Sequence, residues 1–114
     1  MHEMSVITSV FSVIKKNLPQ KNISVTAIRL NVGKFSNVIP DALQFAFDSI
    51  KKGTVFEKAL LFINEIELTC LCNDCNKTVV MTKHNFVCEN CGSCNLTIVT
   101  GRELFIESID VENT

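Results

Sequence analysis

All six cysteines of this chain fall between Cys70 and Cys94, and none lies in the first 69 residues. Four of them form two Cys-x-x-Cys pairs, Cys72/Cys75 and Cys88/Cys91, with twelve residues between the pairs. A Cys-x-x-Cys turn lets two sulfurs converge on one ion, and two such turns complete the tetrahedron of thiolates that zinc prefers. The turns need a residue that tolerates positive φ just after the second cysteine. Asn76 follows Cys75 and Gly92 follows Cys91, and both residue types manage it. Val79-Val80 and Phe86-Val87 read as two short strands between the pairs. Four sulfurs fill the shell, so the expected ion is a structural zinc with no open position for hydrolysis.

Two cysteines remain. Cys70 could stand in for Cys72, and Cys94 for Cys91, because Cys91-x-x-Cys94-Asn95 is also an acceptable turn. The plainer reading makes both spare thiols beside a complete shell. His84 reads as a solvated loop residue rather than a ligand.

The rest of the chain is an apolar body. Met4, Ile7, Phe11, Ile14 and Leu18 recur at helical spacing, and Pro19 ends that helix. Residues 23–32 alternate with a phase change at Ala27-Ile28, which predicts a strand with a bulge or with both faces buried. Pro40 suits a first helical turn, Asp41 favours the helix N-terminus, and Lys51-Lys52-Gly53 is a stop signal. Residues 60–69 read as a strand with Phe62, Ile66 and Leu68 on one face. Residues 96–100 and 104–111 read as two more strands around Gly101-Arg102.

The final strand needs neighbours and finds them most simply in the body's sheet. The expectation is therefore an α+β fold: a small mixed sheet with two helices, plus an inserted zinc-ribbon-like module. Residues 1–69 plus 102–114 would form the body, and residues 70–101 the zinc-binding module.

Bulk properties narrow the function. The chain has 114 residues, 46% of them hydrophobic, and a net charge of −1. It lacks the basic stripe of a nucleic-acid binder. Its longest apolar run, residues 59–63, is far below the roughly 18 residues of a membrane span. The start Met-His-Glu has no basic n-region. A cytoplasmic location follows as the expectation, and there reduced thiols serve as metal ligands rather than disulfides. No nucleophile elbow, phosphate loop or His-Glu-x-x-His pair is present, so an enzyme is not expected.

The N-terminus is a second metal candidate. The bulky His2 favours retention of Met1. The Met1 α-amine, the His2 amide nitrogen and the His2 imidazole can close two fused chelate rings on one ion. Such nitrogen-rich planar sets suit nickel(II) or copper(II), and Glu3 can add its amide or carboxylate.

Three segments in order carry a resemblance: Met1-His2-Glu3-Met4-Ser5, the run from Val32-Gly33-Lys34-Phe35 through Pro40-Asp41-Ala42-Leu43 to Phe47, and the two cysteine pairs. Together they resemble the HypA family of nickel-insertion accessory proteins for [NiFe]-hydrogenase maturation, in some cases also for urease. The resemblance implies a nickel site at Met1, His2 and Glu3 and a structural zinc site at Cys72, Cys75, Cys88 and Cys91. It implies transient nickel(II) as cargo, and as partners the hydrogenase large subunit and a HypB-type GTPase. Where family members often carry an acidic residue before the proline of the second helix, this chain has Ile39. Homodimerisation by exchange of the C-terminal strand stays open. The competing reading is a zinc-ribbon module that recruits protein or nucleic acid without nickel. Lys77 and Lys83 are its only bases, and no aromatic cluster accompanies them.

Overall fold

The structure is a computed structural model and describes residues 3–19, 22–82 and 86–113. Its first helix, α1 (Glu3–Asn17), has Glu3 in the first turn and Lys15 and Lys16 in the last, each favourable with the helix dipole. It buries Val6, Ile7, Val10, Phe11 and Ile14. Met4 was expected on that face but is 42% exposed, beside Ala42 and Phe45 of the second helix.

The central strand β1 (Ile23–Gly33) carries two register shifts, at Val25/Ala27 and Arg29/Leu30. These reconcile its irregular alternation with one core face. Helix α2 (Pro40–Ile50) opens on the proline and ends at Lys51, with Gly53 at φ 75° just beyond. Strand β2 (Leu60–Ile66) then lies parallel to β1, and the last strand, β6 (Leu104–Asn113), pairs with β1 antiparallel. The sheet order is β2-β1-β6.

The core packs between the helices and this sheet. Phe11 stacks on Phe56 with centroids 3.9 Å apart and meets Phe47 edge-on at 5.7 Å. Both Phe47 and Phe56 are fully buried. Burial of such a ring stabilises by about 1.5–3 kcal/mol. Phe56 reaches this place because the Val25 N–H donates to the Val55 carbonyl at 3.0 Å, which sews the loop after α2 onto the bulge of β1.

The second half of the expected strand over 60–69 does not continue β2. Pairing with β1 stops at Ile66, and a new strand, β3 (Thr69–Cys72), belongs to a different sheet. The inward residues of β2 are Leu61 and Ile63, while Phe62 is 49% exposed. With Leu61 and Ile63 packed into the core, Phe62 turns outward opposite Arg29, and its ring lies under that guanidinium at 5.7 Å. Leu68 instead joins the second sheet's small core with Cys70 and Met81.

That second sheet has the order β4-β3-β5, with β4 (Thr78–Val80) and β5 (Leu96–Thr100) both antiparallel to β3. The strand expected at Phe86-Val87 does not form. Phe86 has φ 50° and uses its ring instead, edge-on to Phe35 at 5.4 Å.

The sheets meet where two glycines cross. A Cβ on Gly33 would lie 2.1 Å from the Gly101 carbonyl oxygen. Gly101 itself has φ 117°, and a Cβ there would lie 2.7 Å from the Leu68 Cα. Around them, the Gly33 N–H donates to Glu103, Lys34 to Ile66 and Phe35 to Gly101, at 2.7, 2.9 and 2.7 Å. No helix among the described residues is long and apolar enough to cross a membrane.

Candidate metal centre

The two cysteine turns lie at one end of the second sheet. In the first, the Asn76 N–H donates to the Cys72 carbonyl at 2.8 Å, and the Cys72 N–H to the Lys77 carbonyl at 2.9 Å. In the second, the Gly92 N–H donates to the Cys88 carbonyl at 2.7 Å, and the Cys88 N–H to Ser93 at 2.8 Å. Asn76 and Gly92 sit at φ 60° and 77°, the conformation that the spacing demanded of them. Each turn aims two thiols at the same point.

The sulfurs of Cys72, Cys75, Cys88 and Cys91 all lie within 4.8 Å of one another. Cys72 and Cys91 are 3.5 Å apart, Cys75 and Cys88 3.8 Å. Zinc–sulfur bonds of about 2.3 Å in a tetrahedron place sulfurs roughly 3.8 Å apart. The cluster therefore fits a structural zinc ion, and its sulfurs stand well beyond the ~2.05 Å of a disulfide.

Their acidities point the same way. The Asn90 amide and the Lys77 backbone N–H favour the Cys75 thiolate and bring its pKa down to about 6. At Cys91 the Ser93 N–H also favours the thiolate, but the sulfurs of Cys72, Cys88 and Cys75, together with burial, push it up to about 12. Four sulfurs this close cannot all ionise unless a cation shares their charge.

The leftover cysteines part company. Cys70 is buried in the small core of the second sheet, opposite Val79 and Ile98, and desolvation raises its pKa. It shares a strand face with Cys72, two residues further along β3, but its sulfur is not in the four-sulfur group. Cys94 is exposed and outside the four-sulfur group. Of the nickel candidates, Met1 and His2 lie outside the described residues, as does His84. Glu3 opens α1, and the Ile39 N–H donates to its carboxylate at 3.3 Å. The first carboxylate of the chain is thus tied to the approach to α2, at the residue where an acid was expected and Ile39 stands.

Sequence reasoning passed over the polar residues between the cysteines. Asn90 donates to the Cys75 sulfur at 3.6 Å, and Asp74 accepts from Ser93 and Asn95. Their position inside or just beside the two turns was the available signal.

Two helices on a mixed sheet, joined to a three-stranded ribbon that ends in four converging thiols, define a small α+β metal-binding protein. The chain belongs to the HypA family: the model for hydrogenase/urease nickel incorporation, metallochaperone, hypA, matches residues 1–111. Hydrogenase maturation factor HypA from Desulfatibacillum aliphaticivorans is 36% identical over 113 residues, covering 97% of this chain and 87% of that protein. The Aquifex aeolicus factor of the same name is 36% identical, with 98% of each chain covered. The solution structure of the Ni metallochaperone HypA from Helicobacter pylori superposes with a TM-score of 0.68 over the whole of both chains; at 23% identity it shows the shared fold. A second HypA solution structure is 27% identical, with a TM-score of 0.66 over 96% of this chain and 95% of that one. The family is one of nickel metallochaperones and maturation factors for hydrogenase.

Proposed function

We propose that this chain carries nickel(II) at its N-terminus, through the Met1 amine, the His2 amide and imidazole and help from Glu3. It hands the ion to the hydrogenase large subunit together with a HypB-type GTPase, in the cytoplasm and without catalysing a reaction itself. The observation that carries this reading is the family match, which runs from residue 1 and so includes Met1-His2-Glu3. Chemistry supports it as well. A handover needs a site that opens, and nitrogen donors at a chain end can swing away from their ion. Cys72, Cys75, Cys88 and Cys91 hold the structural zinc, and their closed sulfur shell suits permanence.

The two jobs divide along the chain. The body of residues 1–69 plus 102–114 presents nickel, and the module of residues 70–101 is stapled by zinc. Leu68 packs with the module from just outside that boundary.

The test is nickel titration of untagged protein beside its His2→Ala variant, with zinc measured by elemental analysis. The variant is expected to bind nickel at least about tenfold more weakly, since even residues behind a metal's ligands are worth that much. Its zinc content and circular dichroism should not change. Equal nickel affinity in the two proteins would remove the delivery role.

A further inference from the structure

Five thiols crowd the tip of the second sheet, and spacing alone offers two ways to choose the fourth ligand: Cys91 or Cys94. We propose that Asp74 is a positioning residue that makes this choice, by clasping the segment after the second turn onto the first turn so that Cys91 points inward and Cys94 outward. The inference rests on the zinc reading of the four-sulfur cluster.

Asp74 sits between Cys72 and Cys75. One of its carboxylate oxygens accepts from the Ser93 hydroxyl, and the other accepts from the Asn95 amide at 3.4 Å. The same hydroxyl accepts from the Asn95 backbone N–H at 3.0 Å. Next to it, the Asn73 N–H donates to the Asn95 carbonyl at 2.9 Å, which extends the β3–β5 ladder one step past Cys72 and Leu96. Residues 93 and 95, on either side of Cys94, are therefore both held against the first turn. With its two neighbours pinned, Cys94 cannot rotate into the site. Both Cys91 and Cys94 lie at the surface, but the ring of sulfurs closes through Cys91 and leaves Cys94 out.

The clasp uses no metal atom. It joins the two turns by hydrogen bonds alone, so it can align the thiols before the ion arrives. Without it, the loop from Cys91 to Asn95 has two thiols, three and six residues after Cys88, and either can complete the shell. An outer group that orients ligands is commonly worth 10–100-fold in metal affinity.

The test uses the full zinc-loaded chain, alkylated with iodoacetamide and mapped by mass spectrometry, with zinc transfer to a colorimetric chelator followed in parallel. In the natural protein Cys94 should be modified while Cys72, Cys75, Cys88 and Cys91 are protected. In Asp74→Ala, Cys91 should become modified and Cys94 protected in a share of molecules, and zinc should leave about tenfold faster. Adding Cys94→Ser to that variant should restore protection of Cys91, an outcome that general loosening of the fold does not produce. Ser93→Ala removes a single half-buried hydroxyl and should shift the labelling in the same direction, so the idea stays testable if Asp74→Ala folds poorly. An unchanged labelling pattern in both variants overturns the proposal. A natural protein that holds no zinc, or leaves all four turn cysteines open to label, overturns the zinc reading instead.

Discussion

The two sheets of this molecule are of equal strand number and are held together by different means. Behind β2-β1-β6 lie 16 of the described residues, buried in one apolar cluster, among them Ile7, Phe47 and Phe56. Behind β4-β3-β5 the buried cluster is Leu68, Cys70 and Met81. The first region has two helices to cover its sheet; the second has none among the described residues. Apolar burial at about 25 cal/mol per Å² suffices for the first and falls short for the second, where the conformational entropy of the turns must be offset by bonds to an ion. The lesson is that a short ribbon without a covering layer relies on the ligands that converge in it where the packed body relies on apolar burial.

The largest effect should come from removing the ion. A strong chelator at neutral pH should abolish hydrogen-exchange protection across 69–100 while Val25, Ile28 and Phe47 keep theirs. Structural zinc contributes on the order of 10 kcal/mol in small modules. Loss of both regions in one step would show them to be one cooperative unit and break the contrast. Acid should act as the chelator does. Zinc needs the thiolates, protons compete for them, and so zinc is held at neutral pH and released as the pH falls.

Next in size is Phe47→Ala, which leaves a cavity against Phe11. A loss of about 3–5 kcal/mol in denaturant unfolding is expected. Zinc content should stay at the natural level, because the substitution touches only the region that does not depend on the ion.

Gly33→Ala tests the seam. The added methyl meets the Gly101 carbonyl, where backbone on both sides leaves no room to yield. Overpacking of this kind costs roughly 1–3 kcal/mol. Amide shifts should appear on both sides of the crossing, near Glu103 and near Leu68. Shifts confined to one sheet would mean that the regions are less coupled than the crossing glycines indicate.

The smallest effect belongs to the surface. Asp110 pairs with Arg29 at 3.0 Å, and the hydrogen bond from that guanidinium lowers its pKa. A depressed carboxylate adds stability above its unfolded pKa, and this is lost as the pH falls through the folded value. Asp110→Asn should therefore flatten the acid limb of the body's stability curve slightly and leave zinc retention unchanged. Both partners are exposed, so the change should be near the limit of measurement.

Much of this was legible in the residues. The helix boundaries at Pro19, Pro40 and Gly53 could be read because proline and glycine act locally. The bulge in β1 left a phase change in its alternation. What misled was the run from Leu60 to Thr69, which has β-character throughout and no turn residue at Glu67-Leu68. Nothing local marks a strand that changes sheets. The direction of Phe62 was likewise misread, because the inward face of β2 is set by its pairing with β1, where Phe62 lies opposite Arg29, 33 positions away in the chain.

By itself the sequence determined the metal chemistry, because two Cys-x-x-Cys turns with Asn76 and Gly92 after them encode ligand number, ligand type and backbone conformation within a few residues. It also determined the segments that become helices and most of the strands. Only the tertiary structure decided which sheet each strand entered, why Gly33 and Gly101 must be glycines, and why Cys70 turns to the core while Cys94 faces solvent. Those outcomes come from contacts between segments distant in the chain, where the available space is set by the partner and not by the residue's own preference.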